Sequence, residues 1–432
     1  MMEQGVMSLN KPVVCIVDAF STGAELPSEF SKYGYDSIHI QSSADVDSEL
    51  RSTFRETDFI KHWIYEEVKE NDILLEIRRY NPSFVIAGTE TGVILADKLA
   101  HVLDLPGNDP RTSSLRRNKY DMNEAIREKG LPSVRQARCA TVTEALEAAK
   151  KMGGWPIVAK PLDSAGTDHV YFCRSENELT AACERILMQV NRMGSLNEYV
   201  LVQECLEGQQ YFINAVSLEG KHIFTEIWKD TKKSVEGAGM ICDQEELLPY
   251  EGNVQEQIMN YMKQVLDVLG IRDGASHSEL MFTERGPVLI ESAARMQGTI
   301  LHEALIAAIG DSHVTTTVER YVDPDKFMSR MQTPYTLRKY LFCITLSSHV
   351  SGVVVENRVE ALTSALPSFF AVFHTPQAGE KIERTVDLFT NPGILYLLHQ
   401  NRDQIIEDYN QIRQWEREQA FFEVDRILSA ER

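Results

Sequence analysis

The sequence is poor in the features that mark membrane, secreted and nucleic-acid-binding proteins. Basic residues are scarce: 44 Lys and Arg stand against 64 Asp and Glu in 432 residues, a formal net charge of −20. Such a chain repels phosphate backbones and anionic membranes, so any anionic ligand must meet specific Lys or Arg side chains. Cysteine is sparse as well. Its seven residues (Cys15, Cys139, Cys173, Cys183, Cys205, Cys242 and Cys343) are odd in number and contain no Cys-x-x-Cys pair. They read as reduced thiols of a cytoplasmic protein. No apolar run approaches the roughly 20 residues of a membrane span, and Val13–Val17 is broken by Asp18 before it reaches signal-peptide length. Internal repeats, low-complexity tracts, a Gly-x-Ser-x-Gly elbow, a Walker loop and metal-ligand spacing among the histidines are all lacking.

What is present is ordinary globular material, 43% hydrophobic and 25% charged, long enough for about three compact units. Val13–Val17 and Phe84–Ala87 read as buried parallel strands with helical sequence between them. The segment Ala87 to Gly92 passes from strand to helix, the kind of turn at which open α/β sheets bind ligands. Residues 1–114 are therefore predicted to form an α/β domain, ended by the turn Pro106-Gly107-Asn108-Asp109-Pro110. A helix from about Arg117 to Lys129 stops at Gly130, a second spans about Thr143 to Lys151, and the strand Pro156–Lys160 follows. From Val200 the pattern alternates every two residues, giving strands near Val200–Leu206, Tyr211–Val216 and His222–Trp228, the last two joined by a hairpin turn at Leu218–Lys221.

Residues His277 to Gly298 carry the most chemical information. A hairpin loop Glu284-Arg285-Gly286, with Gly286 in the left-handed region, predicts the pairs Thr283–Pro287, Met281–Leu289 and Glu279–Glu291. Opposed Cβ atoms lie roughly 5 Å apart, so two ionised carboxylates there repel unless a cation sits between them. Mg²⁺ suits such a pair, being a hard ion usually held by one or two carboxylates plus substrate phosphates. Arg295 continues the same face. The bland alternative is a surface hairpin with solvated acids. A second constellation runs from Lys160 through Ser164, Ala165 and Gly166, a lysine at a strand end before a small-residue loop able to cradle phosphate. Alone, a strand ending in Lys-Pro is commonplace. The third is Val200 to Gln210, whose main-chain donors and acceptors can read an adenine edge while Gln203 or Gln210 meets its amine or ribose hydroxyls. Alone, it is a plain strand connection.

These constellations occur in the order and spacing of the ATP-grasp superfamily. The chain resembles ATP-grasp L-amino-acid ligases over nearly its whole length, the carboxylate-amine ligases that make dipeptides and peptide antibiotics such as bacilysin and the dapdiamides. Asp18–Ala24 resembles the first turn of their N-terminal domain, and Ala87–Gly92 followed by Gly107–Pro110 resembles its end. Arg116–Tyr120 is similar to the segment bearing the first ATP-phosphate lysine, Lys119, with Lys160 the second. Glu291–Arg295 is similar to the metal-and-arginine motif. Two departures stand out: Ala293 replaces an Asn common in wider ATP-grasp patterns, and Gln203 and Gln210 replace acids that contact the adenine amine and ribose.

The resemblance implies α/β and α+β architecture in three parts: an N-terminal α/β domain, a central small domain (115–198) and a larger domain with an antiparallel sheet (199–335), closed by a C-terminal lid (336–432). It implies ATP at Lys119, Lys160, Ser164, Ala165, Gly166, Gln203, Glu204, Leu206 and Gln210, with Mg²⁺, for which Mn²⁺ substitutes, at Glu279 and Glu291. Arg295 is the expected catalytic residue, and Glu90, Ser292, Gly298 and Thr299 are expected to bind substrate. The implied partners are a small-molecule carboxylate and an amine, joined through an acylphosphate; no nucleic acid or membrane is expected, and a homodimer is allowed. Two other readings are an enzyme of this fold using bicarbonate in place of an amino acid, and a catalytically silent nucleotide-binding regulator. The intact set of Lys119, Lys160, Glu279, Glu291 and Arg295 argues against the second.

Overall fold

The apolar run Val13–Val17 forms a strand (β1) buried along its whole length. It lies between β2 (Asp36–Gln41) and β4 (Phe84–Ala87), with β3 (Lys61–Ile64) at the edge of a parallel sheet. Helices cover such a sheet, and the helix Val93–Val102 buries Leu95, Ala96, Leu99 and Ala100 against it. The turns after β1 and β4 touch closely: a Cβ on Gly88 would stand 2.4 Å from the Asp18 carbonyl oxygen, which only glycine permits. Asp18 fastens them by accepting hydrogen bonds from Ser42 N (2.7 Å), Ser42 Oγ and Thr91 Oγ1 (both 2.5 Å). The computed structural model describes residues 11–425 apart from 165–167, 192–193, 236–238, 299 and 387–389. The expected site residues Ala165, Gly166 and Thr299 thus lie outside the described residues.

A second, antiparallel sheet has the order β5 (Gln136–Cys139), β8 (Val200–Glu204), β6 (Ile157–Lys160), β7 (Tyr171–Cys173). Helices Val142–Lys151 and Glu176–Ile186 pack Ala145, Ala149, Leu179 and Cys183 onto it. The third sheet has eight strands: β13 (Gly286–Ala293), β12 (Gly274–Thr283), β9 (Gln209–Leu218), β10 (Lys221–Val235), β11 (Gly239–Leu247), β14 (Tyr340–Thr345), β18 (Ile394–His399) and β16 (Phe369–Phe373). The predicted β9–β10 turn is present, with Glu219 and Gly220 both at positive φ, as a type I′ hairpin requires. β15 (Gly352–Asn357) sits between β17 (Lys381–Ile382) and β19 (Phe422–Asp425) in a small sheet of their own.

The sheets divide the chain differently from the expected boundaries. β8 follows residue 198 yet hydrogen-bonds to β5 and β6, so it belongs to the small sheet. The helix Lys119–Glu128 contributes Met122 and Ile126 to the core beneath the large sheet, beside Ile258, Met262 and Val265. Beyond residue 335, β14, β18 and β16 extend the large sheet itself, so the C-terminal part is built into that sheet rather than only laid over it. Each difference has one cause: strand partners come from distant sequence, which a local pattern does not record.

Candidate active site

All four sheets border a cavity of about 2760 Å³. Its floor is the hairpin β12–β13, where Glu279 and Glu291 are register partners as expected. The route to that register differs from the prediction. Gly286 has the predicted positive φ, but Thr283 pairs with Gly286 and Met281 with Val288, one residue away from the expected partners. A β-bulge between Glu279 and Leu280 absorbs Ile290 and restores the pairing of the two acids. Two one-residue shifts cancel.

The cations expected for phosphate come from the other side of the cleft. Lys160 ends β6, is buried, and has its pKa lowered to about 8, first by burial and then by the neighbouring Lys119 charge, with Glu291 and Glu279 acting in the opposite direction. Lys119 opens its helix, whose N-cap Asn118 accepts from the Tyr120 and Asp121 amides. Its ammonium lies 2.9 Å from Glu291 Oε2 and donates to the Ser164 carbonyl. Glu279 accepts from Gln210 Nε2 (3.1 Å) and faces His277 Nε2 at 3.7 Å. Burial raises the Glu279 pKa, but His277, Lys232 and Arg295 outweigh it and hold the carboxyl down at about 2. The carboxylate pair is thus compensated by basic side chains.

Arg295 lines the same cavity, directed by Glu90: Arg295 Nε donates to Glu90 Oε2 (2.8 Å) and Arg117 Nη1 to Glu90 Oε1 (2.6 Å). Burial raises the Glu90 pKa, yet Arg117, Arg295 and Lys119 together bring it to about 2. Both Glu90 oxygens therefore serve guanidinium groups. Gly298 and Ser164 also line the cavity, as do Gln203, Glu204, Leu206 and Gln210. Gln203 is fixed by its hydrogen bond to Gln136 Oε1 (3.0 Å), and Glu204 accepts from Arg135 Nε (2.8 Å) and Arg285 Nη2 (2.7 Å). Ser292 is the exception among the described site residues. Strand alternation turns it away from Glu291 into the core, where its hydroxyl meets Ser278 Oγ (2.8 Å) and its amide meets Met122 Sδ. It does not line the cavity.

Several lining residues escaped the sequence reading. Asp230, Lys232 and Glu245 form a charged stripe on β10 and β11, with Asp230 paired to Glu245. Burial, then Asp230 and Glu279, push Glu245 up to about 8. The predicted strand stopped at Trp228, two residues short of this stripe; alternation of charge at Asp230 and Lys232 was the available signal. No group of three or more His, Cys, Asp or Glu arranged for a metal occurs among the described residues. Two hard carboxylates with room for phosphate oxygens nevertheless fit Mg²⁺, which is rarely caged by protein alone. No helix among the described residues is long and apolar enough to cross a membrane.

Comparison with known proteins agrees with this geometry. The family model for the ATP-grasp domain matches residues 154–303. Dapdiamide A synthase of Enterobacter agglomerans is 30% identical over 413 residues, 94% of this chain and 96% of that protein. The L-arginine-specific L-amino acid ligase of Bacillus subtilis is 24% identical over 231 residues, 52% of this chain and 54% of that protein. The crystal structure of an L-amino acid ligase from Bacillus licheniformis shares the fold, with a TM-score of 0.75 at 15% identity over 96% of this chain and 98% of that one. This chain belongs to the ATP-grasp carboxylate-amine ligases, enzymes that form a C–N bond at the cost of ATP with Mg²⁺.

Proposed function

We propose that the chain activates a small carboxylate by phosphoryl transfer from ATP and delivers the resulting acylphosphate to the amine of an amino acid, giving a dipeptide or amide, ADP and phosphate. One observation carries the reading: Lys119, Lys160, Glu279, Glu291 and Arg295, drawn from four separate stretches of sequence, line a single cavity. Phosphoryl transfer is chiefly a matter of positioning and charge neutralisation, which is what this set supplies. Lys119 and Lys160 hold the phosphates. Glu279 and Glu291 would hold Mg²⁺, which when bound would neutralise the charge of the phosphate oxygens. Main-chain groups from Gln203 to Leu206 receive the adenine. Arg295, held by Glu90, faces the reacting carbonyl and stabilises the oxyanion as the amine adds; Glu90, which also lines the cavity, positions Arg295. Synthesis of a peptide antibiotic is the biological setting that the kinship with dapdiamide A synthase supports.

The test is ATP turnover across an array of amino-acid pairs, with mass spectrometry of the products. ADP release that needs a carboxylate substrate, and amide that appears only with an amine, are the expected results. AMP and pyrophosphate as products, or ADP release with neither substrate, refute the mechanism. Bicarbonate-dependent carboxylation in place of amide formation moves the protein to the carboxylating branch of the fold.

A further inference from the structure

The turn after β1 forms part of the cleft wall. Ser21 and Thr22 line the cavity, and Thr22 Oγ1 accepts from the amide of Ile300, shortly beyond Arg295. The turn is strained: Asp18 and Ser21, neither of them glycine, stand at φ +54° and +51°. Such a conformation persists only where neighbouring groups hold it. Two bonds do so from outside the turn. The Ala19 amide donates to His39 Nε2 (3.0 Å), and the Ser21 amide donates to Thr53 Oγ1 (2.7 Å). Thr53 belongs to a second part of the same wall, where Leu50 and Arg55 also line the cavity and Arg55 Nη2 donates to the Ala24 carbonyl (2.6 Å).

Both parts are seated on a pair of histidines. His39, on β2 and fully buried, has its ring centroid 5.0 Å from that of His62 on β3, and Phe20, Phe54 and Phe59 pack round the rings. The rings meet nitrogen to nitrogen, Nδ1 to Nδ1 at 2.8 Å. One bond settles every proton in the pair. Because the Ala19 amide donates to it, His39 Nε2 carries no hydrogen, so the neutral ring has its hydrogen on Nδ1. His39 Nδ1 then donates, and His62 Nδ1 must accept. A proton added to His62 goes on that same nitrogen and sets two N–H groups face to face. Moving the His39 hydrogen to Nε2 gives no relief, since it would meet the Ala19 amide. Burial lowers the pKa of both rings, that of His39 to about 3 with the His62 charge adding to the effect; Glu56 is the charged group that opposes this at His62.

We propose that His39 and His62 are positioning residues for this wall, and that protonation of His62 unseats it, so that affinity for the amino-acid substrates falls in acid while affinity for the nucleotide does not. The residues proposed to hold the nucleotide lie on other elements. Assignment of the wall to the amino acids rests on the function proposed above; the proton-dependent contact does not.

Hydrogen exchange of residues 47–58, read by mass spectrometry on the ligand-free chain at about pH 7.5 and 5.5 and corrected for the intrinsic pH dependence, tests the contact without any substrate. The wild type should lose at least about tenfold in protection at the lower pH. His62→Gln, whose amide oxygen still accepts from His39 but takes up no proton, should show no such step, and His62→Lys, a permanent donor, should be poorly protected at both values. Ligation of the amino-acid pair selected by the turnover array then reads the function. The ratio of wild-type to His62→Gln KM for the amino acids should rise at least about threefold between the two pH values, and that for MgATP should stay level. Comparing the two proteins at equal pH cancels ionisation of the amine itself. An exchange step of equal size in His62→Gln, or none in the wild type, overturns the inference, and a level KM ratio for the amino acids overturns the positioning role. Absence of ligation with every pair refutes the proposed function instead, and the exchange result still decides the contact.

Discussion

Lys119 Nζ lies 2.9 Å from Glu291 Oε2, so a lysine suited to phosphate and a carboxylate suited to a metal hold each other in the ligand-free chain. Under the proposed function Glu291 would hold Mg²⁺ and Lys119 a phosphate, so each would exchange the other for its ligand. The same contact alters what removal of an acid should do.

Opposed carboxylates considered alone predict that Glu279→Gln or Glu291→Gln stabilises the metal-free protein. With Lys119 bound to Glu291 and Lys232 and Arg295 acting on Glu279, the sign reverses, because each substitution leaves basic side chains without their acid. We expect each single variant to lose about 1–3 kcal/mol of stability and at least about a hundredfold in ligation rate. The double variant should be hardly slower than either single one, as for residues acting as a unit. Melting curves and steady-state rates decide this; independent, multiplicative rate losses would show that the acids do not share a metal.

Glu90 should make the fold sensitive to acid. Its folded pKa of about 2 lies below the ordinary glutamate value of 4.5, so the stabilisation is complete above the unfolded pKa and is lost as pH falls toward 2. A depression of this size is worth ~3 kcal/mol at neutral pH. Glu90→Gln should flatten the stability profile between about pH 5 and 2, release Arg295 and lower kcat more than it raises the KM for ATP. Urea titrations at a series of pH values measure the first effect. An unchanged acid limb in the variant would mean that the Arg117–Glu90–Arg295 bridge does not form in solution.

Much of the site was legible because its chemistry is local. Lys160 at a strand end, Lys119 beside an N-cap asparagine, and Arg295 four residues after Glu291 are each visible within a few residues of sequence. The Glu279–Glu291 pairing was legible for a different reason: a bulge at Ile290 happens to offset the one-residue error in the loop. Ser292 was misplaced because motif adjacency was allowed to override strand alternation, which sends neighbours to opposite faces. The Glu90 bridge to Arg117 and Arg295 was illegible in principle, since Glu90 and Arg295 are separated by 205 residues and meet only when the parallel sheet and the large sheet assemble. The membership of β8 in the small sheet escaped for the same reason.

Glu204 joins the small sheet to the metal hairpin by accepting hydrogen bonds from Arg135 and Arg285. Both arginines are largely exposed, so the link is worth at most ~1 kcal/mol. It should nonetheless set the width of the nucleotide cleft. Arg285→Ala is expected to raise the KM for ATP about threefold while leaving kcat within about twofold and the melting temperature nearly unchanged. High salt should produce the same change in the wild type and little further change in the variant. Equal salt dependence in the two proteins would remove Glu204 from any role in closure.

Lys160 is the residue at which binding and stability should oppose each other most clearly. The folded chain holds it at about pKa 8 against an ordinary lysine value of 10.5, because burial and Lys119 penalise the charged form more than Glu291 and Glu279 favour it. For a lysine this direction means that the folded chain binds fewer protons than the unfolded one between those values. The group therefore destabilises the free protein below pH 8, by ~3 kcal/mol, and the penalty disappears as pH rises toward 10.5. Lys160→Met keeps the stem and removes the charge, so it should raise the melting temperature of the ligand-free protein at pH 7 and abolish the rise in stability between pH 8 and 10.5. ATP binding should move the other way. Phosphate needs the ammonium form, so the wild-type affinity falls above pH 8, binding near pH 9 draws a proton from the buffer, and the variant loses at least about tenfold in affinity at pH 7. Calorimetry in two buffers of different ionisation enthalpy reads the proton uptake directly. Unaltered ATP affinity in Lys160→Met would remove the lysine from the phosphate site, and a lowered melting temperature would mean that its ammonium is held by the fold rather than kept in reserve for the nucleotide.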